Sequence, residues 1–331
     1  MLSGTIGRGG HAPARSPGKR PVSSTDVTRS AEFDAFGPWV DRVHDATELP
    51  GLYRDYPVDF ATSQLVLKVP RSISRRDALP TMDLYDHLII VAPESLVVLS
   101  RAAPDTGGSA SGYTESTLGY GDVVAVTDTV DLVDGRIDIL ARTGETLTVP
   151  YNGSSEQVIT HLIDILSELS LAALPPTPAV TLPEADGQPA DLDLLDLGKE
   201  DVGLVTSYFD LMRHEFGATL LAAHGRMVLP PSGGLLSRVS HAIYPMTLHG
   251  AVLCRTDREL HIVGRKCWLV RGNTPDLSRA HTTIPLAAID EIELAPHPTY
   301  PGASVVTLHL GAARMGMVLP AGSAAVQALV A

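Results

Sequence analysis

The chain is short of cysteine, of aromatic side chains and of positive charge, and it has no long apolar run. Its two cysteines, Cys254 and Cys267, sit on either side of an expected strand and form no C-x-x-C, so neither a zinc knot nor a redox pair is indicated. Both read as buried or half-buried thiols. Aromatic residues make up 5% of the chain, with Trp39 and Trp268 the only tryptophans. No stretch reaches the roughly 18 consecutive apolar residues of a membrane-crossing helix. The first 29 residues contain no apolar h-region, so no secretory signal and a cytoplasmic protein are expected. With 25 basic against 38 acidic residues, the formal net charge is −13. That balance excludes broad nucleic-acid binding, which needs positive charge to displace counterions. It also excludes general adhesion to anionic lipid, leaving room only for a local basic patch.

Catalytic signatures are missing as well. There is no G-x-S-x-G, no Walker loop and no H-E-x-x-H, since His214-Glu215 is followed by Phe216-Gly217-Ala218. Gly4, Gly7, Gly9 and Gly10 have no strand before them, so they make no dinucleotide loop. Eight of the twelve histidines, among them His214, His224, His249, His261, His281 and His309, fall after residue 200. They are scattered over separate strands and loops without paired spacing, and a metal site needs converging ligands. They therefore read as structural histidines, and neither a metal nor a cofactor is expected. The chain reads as non-enzymatic. An enzyme is an alternative only if a deep pocket of clustered polar groups supplies what the motifs do not.

What is present is a repeat. Leu88 to Ala92 turns through Pro93-Glu94-Ser95 and returns as Leu96 to Arg101. Tyr120 to Val126 follows, then a meander ending at Val149-Pro150, then a helix. In the same order, Ala251 to Arg255 turns into Leu260 to Arg265, followed by Ile284 to Ile289 and a hairpin closing at Leu319-Pro320. Asp134-Gly135 is expected to close one hairpin, because both residues tolerate positive φ, and Thr143-Gly144 the next. Ser154 with Gln157 has the spacing of a capping box, and Val158, Leu162, Ile165 and Leu169 make one apolar stripe. Arg226 to Pro231 parallels Leu67 to Pro70, each strand stopped by proline. The organisation expected is a disordered arm over 1–33, a first domain over 34–172, an acidic, proline-containing linker over 173–201 and a second domain over 202–331.

This run of antiparallel strands with a closing helix, seen at Leu88–Arg101, Tyr120–Val123, the meander to Pro150 and Ser154–Leu169, resembles the pleckstrin-homology superfold. More narrowly, it is similar to the small bacterial PH-like domains. The resemblance implies a mainly β (α+β) protein of two PH-like antiparallel barrels, each closed by a C-terminal helix. It also implies a module that binds a protein or peptide partner, or self-associates, in a groove or at an edge beside the helix. Phosphoinositide-binding members carry a basic loop between their first strands. Here the clear hairpin tips, Pro93-Glu94-Ser95 and Thr256-Asp257-Arg258, are acidic or neutral. The one basic cluster, Lys68, Arg71, Arg75 and Arg76, is the candidate anion- or partner-binding site, since Arg presents a fork of donors to phosphate or carboxylate. Through it, peripheral membrane contact is the alternative function. The matching loop of the second copy has only Arg238. Trp268, just past a strand end, is a candidate interface anchor.

Overall fold

Strands that are apolar at nearly every position must be covered on both faces, and the first sheet of this protein is. The computed structural model describes residues 31–102, 112–182, 192–232, 245–272 and 276–330. Nearly all of the expected N-terminal arm, most of the Gly/Ser insertion near 107–112, the middle of the expected linker and the Arg238 loop lie outside the described residues. Chain order runs from helix α1 (Ala31–Ala35) through β1 (Asp41–Arg42), β2 (Leu65–Pro70), β3 (Tyr85–Val91), β4 (Ser95–Arg101) and β5 (Tyr113–Gly119). These five strands form one antiparallel sheet in sequence order. Leu65, Leu67, Val69, Ile89, Leu96 and Val98 point to one core, while Val66, Leu88, Ile90, Val97 and Leu99 point to another. The second core is roofed by Phe36, Val43, Leu49, Tyr53 and Leu84 from the N-terminal and connecting segments. Burial of the hairpin thus comes from an open sheet covered twice, rather than from closure into a barrel.

A 3-10 turn at Tyr120–Asp122 leads into the meander β6 (Val123–Asp131), β7 (Asp134–Ala141) and β8 (Thr146–Asn152), then helix α2 (Glu156–Ala173). The capping box is not made. Ser155 is the N-cap residue, and its hydroxyl is taken by the Val40 amide at 2.9 Å, which ties the helix to the N-terminal segment. The buried stripe is Ile159, Leu162 and Leu166, with Val158, Ile165 and Leu169 packed at its margins. Between α1 and β2 the chain forms only a short extended stretch around β1 and short 3-10 turns. Strand β5, which the sequence hid behind a glycine-rich insertion, is polar and mostly exposed along its length.

The second unit opens with α3 (Val202–His214) and continues through β9 (Thr219–His224), β10 (Met227–Leu229), β11 (Met246–Leu248), β12 (Ala251–Arg255), β13 (Glu259–Gly264), β14 (Leu269–Arg271) and β15 (Arg279–Pro285). A 3-10 turn at Leu286–Ala288 leads to β16 (Glu291–Pro296), β17 (Ala303–Leu310), β18 (Ala313–Pro320) and helix α4 (Ala324–Val330). By pairing, β9, β12, β13 and β15 match β2 to β5, a corner turn follows in each unit, and β16 to β18 with α4 match β6 to β8 with α2. The partner of β2 in the repeat is therefore β9, not the segment at Arg226–Pro231. That segment contains β10, which joins β11 and β14 in a small separate sheet.

The fold is mainly β, built of antiparallel sheets, and no sheet among the described residues closes on itself. The largest sheet runs β8-β7-β6-β15-β13-β12-β9, so strands of both units share it. At the seam, β6 pairs with β15 from Val130–Arg279 to Val126–Thr283, and the Thr127 and Thr282 hydroxyls meet at 2.9 Å. Val124 and Ala125 of the first unit pack into the core of the second. The segment expected to be a linker is also anchored, since Leu174, Leu182, Leu192 and Leu197 are all buried. No described helix is long and apolar enough to cross a membrane.

A shared sheet and a shared core make the two units one cooperative body. Trp39 reports on the first unit and Trp268 on the second. The single-tryptophan variants Trp39→Phe and Trp268→Phe are expected to unfold in urea with coincident fluorescence midpoints. Two separated midpoints would show that the seam does not couple the units.

Candidate functional site: a cleft at the end of the shared sheet

Where β2 ends, Pro70 stops the strand and the chain turns away through Arg71 to Ser74. Facing this turn are the tip of the β6–β7 hairpin and the last residues of β8. Together with Pro38 and Lys266 they enclose a cleft of about 580 Å³. Among its walls are Arg71, Asp86, Val133, Arg136, Tyr151 and Lys266. Lys266 comes from the second unit, so both copies contribute.

The hairpin tip is not where the sequence placed it. Asp131 pairs with Asp134, so the turn is Leu132-Val133, and Asp134-Gly135 lie inside β7. Leu132 takes φ 59, the left-handed region that a leucine enters at a cost of about 1–3 kcal/mol. Both tip side chains face water, Leu132 at 73% exposure and Val133 at 63%. Gly135 serves a different purpose: a Cβ there would lie 2.5 Å from the Tyr151 ring, so only glycine lets that ring lie against the strand. The Thr143-Gly144 turn forms as expected, with Gly144 at φ 94.

On the other side of the cleft, Trp39 follows the lining residue Pro38. Its ring folds back over Gly37, where a Cβ would sit 2.7 Å from the indole, and the side chain stays 55% exposed. Leu132 and Trp39, each next in sequence to a lining residue, and Val133 itself thus put apolar groups in water at this cleft.

Behind the lining residue Tyr151 lies a polar set that runs from buried Asp128 to exposed Glu156. The Tyr151 hydroxyl donates to Asp128 Oδ1 at 2.5 Å, and Arg279 lies 2.7 Å from Glu156 Oε1 and 3.7 Å from Asp128 Oδ2. Burial raises the Asp128 pKa above the usual carboxylate value, against the lowering effect of the Tyr151 hydrogen bond and the Arg279 charge. Burial, then the charge of Asp128, raises the Tyr151 phenol. The wall cations are each held by a carboxylate: Arg71 by Asp86 at 3.7 Å, Arg136 by Asp138 at 2.8 Å, and Lys266 by Asp131. The cleft mixes apolar walls such as Ile73, Val133 and Pro150 with ion-paired charges that are near balance.

The four basic residues singled out from sequence do not converge. Lys68 reaches the Glu48 carbonyl at 3.4 Å and lies over the Tyr85 ring. Arg75 donates to the Phe36 and Asp34 carbonyls, with its guanidinium stacked on Phe33. Arg76 points into solvent beside Asp77. Only Arg71 lines the cleft, where it also donates to the Asp83 carbonyl at 3.2 Å. Trp268 is half-buried and packs against the second unit's core. Of the thiols, Cys254 is buried and Cys267 exposed.

Comparison of the chain with protein-family models, curated proteins and solved structures finds no match in any of the three.

The Asp128–Tyr151 bond gives a pH-dependent expectation. Because folding raises the Asp128 pKa, its carboxylate disfavours the folded state above that pKa, and the Tyr151 hydroxyl offsets part of this. Tyr151→Phe should therefore destabilise the protein by about 1–3 kcal/mol near neutral pH, where Asp128 is charged. The loss should shrink in acid, as the pH falls through the raised Asp128 pKa and Asp128 takes up a proton in the folded state first. Urea unfolding at neutral and at acid pH checks this, and an equal loss at each would contradict it.

Proposed function

We propose that the protein is a non-catalytic interaction module of two PH-like units, and that its cleft takes an extended segment of a protein partner. The reading rests on the Leu132-Val133 tip. A strained leucine and a valine held in water at the edge of a cleft are unfavourable for the isolated chain, and they gain when a partner covers them. Trp39 on the opposite side supplies an aromatic anchor of the kind that dominates protein interfaces.

The partner segment suited to this site carries apolar side chains for the tip and Trp39, and hydrogen-bonding groups for the walls. It lies in the cleft rather than adding to the edge of β8. That edge is interrupted by Pro150, which has no amide hydrogen to offer a new strand. Recognition of an anionic surface through Lys68, Arg71, Arg75 and Arg76 has less support, because Lys68 and Arg75 are spent on the N-terminal segment and Arg71 on Asp86.

The test uses Leu132→Gly, which removes the apolar side chain and relieves the positive φ at once. Stability should stay the same or rise by up to about 1 kcal/mol. Peptides selected by display against the intact chain should be enriched in apolar residues and lose at least tenfold in affinity for Leu132→Gly and for Val133→Asp. Unchanged affinity in both variants, or a selection that enriches nothing, would refute the cleft as the binding site.

A further inference from the structure

On the face of the shared sheet covered by α2 and α3, away from the cleft, lies a cluster that the sequence did not announce. Glu259 and His261 are two residues apart on β13, so both side chains project from the same face. Glu215 comes from the residue just after α3. One donor atom from each of Glu215, Glu259 and His261 lies within 4.8 Å of the other two.

The state of His261 gives the cluster its meaning. The side chain is 1% exposed, and Nε2 has no hydrogen-bond partner among the described residues. Nδ1 faces His281 Nε2 at 3.3 Å and Thr283 Oγ1 at 3.4 Å. With its proton on Nδ1, donated to His281, the ring turns a bare Nε2 lone pair toward the carboxylates. Glu259 Oε2 is 4.0 Å away, too far to take a proton from it directly. Two hydrogen-bond acceptors therefore face each other, and no described residue donates to Nε2.

Glu259 is held in that orientation. Ser167 on α2 donates to Oε1, leaving Oε2 for the cluster, and Thr256 Oγ1 fixes the Glu259 amide at 3.0 Å. Asp164, also on α2, adds a third carboxylate near enough to act on both glutamates, and His214 lies close to Asp164 and Glu215. Arg258, whose charge acts on Glu259, gives its guanidinium to the Leu171 carbonyl. Ligands oriented from behind by hydroxyl and imidazole groups are what a metal site requires.

We propose that Glu215, Glu259 and His261 bind a divalent cation of the zinc class. One imidazole with two carboxylates suits zinc and its first-row neighbours better than magnesium or calcium, which favour all-oxygen shells. Bonds of about 2.0–2.1 Å around a tetrahedral ion set donors about 3.4 Å apart. The cluster therefore closes by roughly 1 Å on binding. Glu215 is the part free to move: it is half-buried, past the end of α3, and followed by Phe216 in solvent and Gly217 at φ 89. Three protein donors leave a fourth position for water.

The experiment treats the full chain with a chelator, removes the chelator, and titrates Zn²⁺ by calorimetry and by competition with a chromophoric chelator. One equivalent should bind with a dissociation constant below about 1 µM and raise the melting temperature, while Mg²⁺ and Ca²⁺ do neither. Glu215→Gln, at a half-buried position outside the core, keeps the fold and should weaken Zn²⁺ binding at least tenfold. His261→Asn should abolish it, with circular dichroism confirming a folded chain. Failure of the wild type to bind Zn²⁺ would overturn the proposal and leave a buried Glu–His pair. Binding that is unchanged in Glu215→Gln would equally overturn it by placing the ion on other histidines.

Discussion

The ladder between β6 and β15 is the constraint on which the rest of the structure depends. It turns two repeated units into one seven-stranded sheet and brings Val124 and Ala125 into the second unit's core. It also lays α2 of the first unit against the second unit's strands, where Arg258 takes the Leu171 carbonyl and Ser167 takes Glu259. Both sites follow from it. The cleft needs Lys266 beside Arg136, and the His261 cluster needs Ser167 beside β13, each pair drawn from opposite sides of the seam. The seam is polar at its centre, where Thr127 meets Thr282. The register is thus set by paired hydroxyls as well as by the backbone, and a slip of one residue would turn Asp128 and its neighbours to the opposite face.

Much of the architecture was legible in the residues. The hairpins at Leu88–Arg101 and Ala251–Arg265, the meander and both C-terminal helices follow from apolar runs and turn residues that tertiary context did not overrule. The failures have local physical reasons. Ser154 and Gln157 have capping-box spacing, but Ser155 is claimed by the Val40 amide, a contact 115 residues away that no local pattern encodes. Asp134-Gly135 has the chemistry of a turn, yet the Tyr151 ring needs that glycine for close approach, and the turn moved to Leu132-Val133. Strand β5 is polar and largely exposed, so it carries no apolar alternation to reveal it.

The sites were less legible, because charge in a sequence does not say where a side chain ends. Four basic residues within nine positions look like one surface, but three reach back into the N-terminal segment or to Asp86. The His261 cluster has the opposite problem. Its ligands are weak signals singly, and Glu215 is more than forty positions from its partners. A local trace did exist: Glu259-x-His261 within an apolar strand puts two ligating side chains on one covered face, where burial without a partner is costly.

The repeat has a further consequence at the edges of the sheets. In copy terms, β6 corresponds to β16 and β15 to β5, and among the described residues both β16 and β5 are end strands, each paired on one side. The internal joint could in principle be reproduced between molecules, β16 of one against β5 of the next, giving an open, head-to-tail filament. The joint inside the chain brings Thr127 against Thr282; the two end strands carry acidic side chains that face water. β16 presents Glu291 and Glu293 and finishes in Pro296, and β5 presents Glu115. Like charges brought together and a missing donor disfavour polymerisation. The protein carries the coupling that would build a fibre, together with the residues that terminate it after two units.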